Sequence, residues 1–199
     1  MRMTTQDESP EVIVSRLAPH APMFHVCLDE AVAAARAVFA PKHGIRPPYD
    51  PWLFAHHVRW ELKQRLEAAL PVGTPISVEG DTVMSSVVVH LDDLELRFRK
   101  SAAPGEVPPP GDSRRMVGWY AQTLDGGVAH NLVMLWHVDP SLRYTSLDVA
   151  FPSGGTEYAP FVRWVVELPH TSPGVADDLD IRVPDVAVAD ERDSGGASP

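Results

Sequence analysis

The sequence predicts an α+β domain: helices from the first seventy residues packed on one face of a mostly antiparallel sheet of about five or six strands. Three observations predict it. Val83 to Lys100, VMSSVVVHLDDLELRFRK, alternates as a β-hairpin. Phe54, Val58, Leu62 and Leu66 recur at helical spacing. Residues 131–168 break into three apolar runs separated by turn residues, the pattern of a meander.

Each element follows from local chemistry. Residues 1–9 are polar and read as disordered. Pro10 to Ala18 reads as a short helix, with Ser9 as N-cap and proline at the first helical position. Pro19 and Pro22 interrupt it. From about Phe24 to Ala40 the chain is Ala-rich and helical by propensity, with Leu28, Val32, Ala35 and Phe39 on one stripe. After a Pro-rich loop, Asp50-Pro51 supplies an N-cap and N1 proline for the third helix. Glu61 and Arg65 make a favourable pair one turn apart, and Pro71-Val72-Gly73 ends the helix.

A short strand near Ile76 to Val78 precedes the hairpin. In the hairpin, Val87, Val89 and Leu91 share one face, as do Leu94, Leu96 and Phe98. Glu95, Arg97 and Arg99 take the other face, and Asp92-Asp93 reverses the chain. This predicts one dry and one charged sheet face. Residues 102–112 read as a Pro/Gly linker. Asp112 or Ser113 caps a helix carrying Met116, Trp119, Tyr120 and Leu124, which Asp125-Gly126-Gly127 ends. Asn131 to Val138, NLVMLWHV, is nearly continuous in apolar residues and reads as a strand buried on both faces. Turns at Asp139-Pro140-Ser141 and Pro152 to Gly155 lead into strands Leu142 to Phe151 and Phe161 to Leu168. Leu53, Phe54, Val58, Leu62, Leu66, Val89, Leu96, Phe98, Leu132, Met134, Trp136 and Trp164 form the expected core.

The chain therefore divides into a disordered N-terminus (1–9), one domain (10–169) and an acidic tail (170–199). The tail carries seven acids and two arginines, half of the net charge of −10. Its three prolines and clustered Asp argue for disorder, although IRVPDVAVAD alternates faintly and would suit an edge strand on a partner or on its own sheet. This acidity argues against non-specific nucleic-acid binding. No apolar run approaches the ~20 residues that span a bilayer, so no membrane partner is expected. No apolar leader follows the N-terminus, and the single cysteine, Cys27, rules out an internal disulfide. Both fit a reducing cytoplasm.

Few residues are arranged for chemistry. His57 and Glu61 would share a helix face and could hold a metal, but zinc needs a third and usually a fourth ligand, so a local hydrogen-bonded pair is the plainer reading. Asp81, Asp92 and Glu95 would be the carboxylates of a metal-dependent nuclease. In such a site Glu95 needs a lysine two residues on, and Arg97 stands there. Cys27, in an apolar helical stretch, reads as a small core residue. No phosphate loop, no nucleophile elbow and no cofactor motif is present. Arg97, Arg99, Lys100, Arg114 and Arg115 form a basic cluster suited to an anion or acidic partner. Arg114 and Arg115 oppose the dipole of the helix they open, at a cost of a few tenths of a kcal/mol.

The stretches VVVHLDDLELRFRKS, PPPGDSRR and NLVMLWHVD resemble a family of actinobacterial proteins with no assigned activity. The resemblance spans roughly residues 50–168. It implies an accessory role in mobile-element or regulatory gene clusters, and carries over no fold, cofactor or site residue. The function expected from the sequence is a non-catalytic cytoplasmic interaction or regulatory protein with a protein or homo-oligomeric partner. Its alternatives are a metal-dependent hydrolase acting on nucleic acid and a small-molecule binding domain.

Overall fold

The computed structural model describes residues 9–39, 50–69, 76–80, 87–110, 114–122, 130–170 and 181–182. The fold is α+β. Three helices come first: α1 (Pro10–Leu17), α2 (Ala21–Phe39) and α3 (Pro51–Ala69). Then come β1 (Ile76–Gly80), β2 (Val87–Leu91), β3 (Leu94–Lys100), α4 (Arg114–Tyr120), β4 (His130–Val138), β5 (Tyr144–Gly155), β6 (Pro160–Glu167) and β7 (Ile181–Arg182). The strands lie in chain order in one sheet. Strands β2 to β6 form its body, and the short β1 and β7 close its edges. All neighbours are antiparallel except β3 and β4. Among the described residues, no helix is long and apolar enough to cross a membrane.

The helix starts obey their capping chemistry. Ser9 is extended and its hydroxyl accepts from the Val12 N–H. Asp50 Oδ1 accepts from Trp52 N at 2.8 Å and from Leu53 N at 3.2 Å. Asp50→Ala should lower stability by ~1 kcal/mol, while Asp50→Ser should keep most of it. A thermal melt checks this, and equal loss in both variants would show that the cap is not what matters. Helix α2 starts at Ala21, earlier than expected, because Pro22 lies within the first turn, where no intrahelical N–H bond is lost.

Helices α1 to α3 cover the face built from Val89, Leu96, Phe98, Leu132, Met134, Trp136, Val149 and Trp164, all buried. Phe24 of α2 meets Phe98 edge-on, with ring centroids 5.7 Å apart. Arg16 of α1 pairs with Asp93 in the β2–β3 turn, where Asp92 takes the left-handed backbone (φ 52°) that the reversal requires. Leu53 corrects the expected core: it is 47% exposed. It sits a quarter-turn off the Phe54–Val58–Leu62–Leu66 stripe, on the solvent side of α3.

The charged-face expectation is also corrected. The parallel β3–β4 pair demands a crossover, since Leu94 and His130 start the two strands side by side. Of this crossover, residues 101–110 and 114–122 are described, and α4 lies on the second sheet face. There α4 buries Trp119 and Tyr120 against Val133, Leu135, Ala150, Val162 and Val165. Strand β4 is therefore buried on both faces, as its continuous apolar run requires. The segment expected as a linker is held down over residues 101–110. The Ser101 hydroxyl donates to the carbonyls of Ala103 and Glu106, and the Gly105 N–H donates to the buried Asp148 at 2.8 Å. Asp112 and Ser113 lie outside the described residues.

Helix α4 stops at Tyr120, short of Leu124, because Gln122 turns back with φ 57°. Its side-chain amide then accepts from Asn131 N and donates to the carbonyls of Asn131 and Pro152. It bonds the β4 backbone much as another strand would. At the far edge, Ile181 and Arg182 pair with Val166 and Val165 of β6. These two tail residues dock on the chain's own sheet, one of the two places that the alternation of IRVPDVAVAD would suit. The rest of 171–199 lies outside the described residues.

Candidate functional site

Among the described residues, those proposed for chemistry do not assemble into one centre. Asp81 lies outside the described residues. Asp92 sits at the hairpin turn with its side chain 66% exposed, 3.9 Å from Arg16. Glu95 lies under α4, where its Oε1 accepts from Trp119 Nε1 at 2.7 Å and from Arg97 Nη2 at 3.1 Å. No group of three His, Cys, Asp or Glu able to hold a metal occurs among the described residues. His57 Nε2 lies 3.8 Å from Glu61 Oε1, but Glu61 is also bound by Arg65, which reaches Glu30 on α2 at 3.4 Å. These four residues form a charge network joining α3 to α2. Cys27 is buried, and burial with the nearby Glu30 pushes its thiol up to about 11. Such a thiol packs and does not react at neutral pH.

The basic cluster divides in two. Arg97 is buried, paired with Glu95 and laid over the Trp119 ring at 5.2 Å. It ties α4 to the sheet. Arg114 and Arg115 are exposed on the first turn of α4. Arg99 is half-buried and its Nη1 donates to Pro109 O and to the Tyr120 hydroxyl, both at 3.0 Å. Lys100 is half-buried, and burial holds its ammonium below the usual range. By strand alternation Lys100 faces the α3 side and Arg99 the α4 side. Arg59 of α3 is half-buried, with its Nε bonded to Ala55 O. Burial, then the Arg99 charge, lowers its pKa.

The solvent side of α3 carries large apolar groups. Trp52 is 61% exposed, Trp60 54% and Leu53 47%. Trp52 packs on the His56 ring at a centroid distance of 3.9 Å, and Trp60 leans towards His57 at 5.9 Å. The signal is readable in the sequence: positions 52, 53, 56 and 60 fall opposite the 54–58–62–66 stripe on a helical wheel. Arg59 lies on the flank between the two.

A second polar site joins α2, β5 and the end of β6. The buried His25 places Nε2 2.8 Å from Leu168 O and Nδ1 2.6 Å from the Tyr144 hydroxyl. A carbonyl can only accept, so Nε2 carries the proton and Nδ1 accepts from Tyr144. His170 stacks on His25 with centroids 3.7 Å apart. Burial, and next the His170 charge, hold His25 down at about 4. Burial and the acids Asp148, Asp29 and Glu167 push the Tyr144 hydroxyl far above its usual value. Pro22, Val26, Asp29 and Thr145 complete a cleft of about 390 Å³ over this group. Both nitrogens of His25 are committed to the fold, so at neutral pH it neither takes a proton from a ligand nor binds a metal without breaking a core contact. The 119 residues between His25 and Tyr144 hide this pair from local sequence patterns.

Comparison of the chain with protein-family models, with curated proteins and with solved structures finds no match.

Proposed function

We propose that this protein is a non-catalytic interaction protein that docks a partner on the solvent side of α3. The observation that carries the reading is the exposure of Trp52, Leu53 and Trp60 on one helix face. Water penalises a contiguous apolar surface, and tryptophan is the side chain most enriched where interfaces concentrate their binding energy. The commitment of His25, Tyr144, Glu95 and Arg97 to intramolecular bonds supports a structural role for these groups over a catalytic one. The family resemblance adds an accessory role in a mobile-element or regulatory gene cluster, acting in the cytoplasm. Binding of a small molecule in the His25–Tyr144 cleft is the second reading. Its volume is within the range of ligand sites, and Asp29, Tyr144 and His170 offer polar contacts there.

The test compares the full chain with the Trp52→Ala/Trp60→Ala variant. The melting temperature should stay within a few degrees, because these rings contribute little to the core. A stoichiometric partner retained from native lysate by the wild type should be lost by the variant. Equal retention by both, or no partner together with a monomeric native mass, would remove α3 as the docking face.

A further inference from the structure

We propose that the partner docked on α3 is a second copy of this chain, joined by an antiparallel α3–α3 contact about a two-fold axis at His56. The inference rests on the docking reading above and names its occupant. On a helix of ~100° and ~1.5 Å per residue, the groups around His56 fall in two rows. Trp52 and Arg59 lie on one side of it, ~20° apart, and Leu53 and Trp60 on the other, also ~20° apart. A two-fold axis through His56 reverses one helix and keeps each row on its own side. It therefore sets Arg59 of one protomer over Trp52 of its partner, and Trp60 of one protomer against Leu53 of its partner. By symmetry each pairing occurs twice.

The pairings match in character. A guanidinium over an indole face gains a cation–π contact, for which tryptophan is the best ring, and Trp60 against Leu53 removes two apolar groups from water. Arg59 is anchored through Nε to Ala55 O, so it loses little freedom on docking. The chain carries a net charge of −10, yet Trp52 to Trp60, WLFAHHVRW, contains no carboxylate, so the face that meets its own copy presents no acid to another. A parallel pair would set the two Arg59 side chains at the same level, and the antiparallel one separates them. At ~250 Å² for a whole tryptophan side chain, Trp52 and Trp60 together expose roughly 290 Å². That is more than a third of the ~800 Å² that each side of a stable interface buries, and it suits a dimer that forms and dissociates with concentration.

Sedimentation of the full chain over a wide concentration range at neutral pH tests the pairing. The mass should rise from that of one chain to that of two. Trp52→Ala/Trp60→Ala should stay monomeric, with its melting temperature within a few degrees of the wild type. Arg59→Gln should weaken dimerisation about tenfold, because the guanidinium–indole contact is lost twice. Mild oxidation reads the axis. His56→Cys should give a disulfide-linked dimer, since the two copies of position 56 face each other. Gln64→Cys, exposed on the same helix, should not, because antiparallel copies of position 64 lie ~24 Å apart along the helices. The wild type should give no linked dimer, because its single cysteine, Cys27, is buried. A wild type that is monomeric at every concentration overturns the proposal. A different lysate partner, lost in Trp52→Ala/Trp60→Ala, would then leave the docking reading standing, and the absence of any partner would remove that reading as well. A dimer undiminished in Trp52→Ala/Trp60→Ala or in Arg59→Gln, or cross-linking as fast at position 64 as at 56, also overturns the pairing.

Discussion

Replacing Trp119 with Ala should destabilise the protein by ~3–5 kcal/mol, the range for truncating a buried large aromatic. Trp119 is 2% exposed and makes three kinds of contact at once. Its ring packs among Val107, Val133, Leu135 and Val165, and Arg97 covers one side. Its Nε1–H donates to Glu95 at 2.7 Å. Truncation opens a cavity on the second sheet face and removes one donor from a half-buried carboxylate. Trp119→Phe separates these effects. It keeps an aromatic ring under Arg97 and loses the indole donor, so ~1–2 kcal/mol should be lost. Urea unfolding of the three proteins measures both values. A loss below ~1 kcal/mol in Trp119→Ala would mean that α4 does not hold the crossover against the sheet.

Acidification should cost the second largest amount. In the unfolded chain His25 takes up a proton near its ordinary value of 6.5, whereas in the fold it resists until about 4. Between these values the unfolded state binds the extra proton. The stabilisation is thus complete above pH ~6.5, declines as the pH falls towards 4, and changes no further below. A tenfold difference in proton affinity between the two states is worth ~1.4 kcal/mol, and since the cleft admits water beside His170 the loss should be about 2–3 kcal/mol. Most of it falls above pH 5, before the carboxylates of the unfolded chain titrate. In Tyr144→Phe the neutral imidazole loses the hydroxyl that donates to Nδ1, so its pKa should rise and the acid dependence become shallower. Unfolding free energies measured from pH 7.5 to 4 test this. A wild-type profile that is flat from 7 to 5, or one that Tyr144→Phe leaves unchanged, would sink the assignment.

The elements legible in the sequence are those whose cause is local. The Asp50-Pro51 start of α3 needs only the carboxylate and the free N–H groups of one turn. The hairpin needs only alternation over Val87 to Phe98 and a turn that Asp92 can make. Asn131 to Val138 announces burial on both faces because no polar residue interrupts its apolar core, Leu132 to Trp136. Trp52 and Trp60 are equally legible as an exposed pair, since their angular position on the helix is a matter of counting. Reading the core from apolar identity alone puts Leu53 inside, when its angle on α3 puts it in water.

The α+β class, the order of helices and strands, and the apolar side of each strand all follow from periods of two and 3.6 residues that any short window contains. The parallel joining of β3 to β4, and the crossover that brings α4 over the second face, have no such local cause and come from packing in three dimensions. That packing buries Arg97 beneath Trp119 and turns the expected solvated charge into an anchor. It likewise brings His25 to Tyr144 across 119 residues of chain. Such meetings depend on how whole elements stack to bury apolar area. No local pattern encodes that, because the free energy that selects it is shared among side chains far apart in sequence.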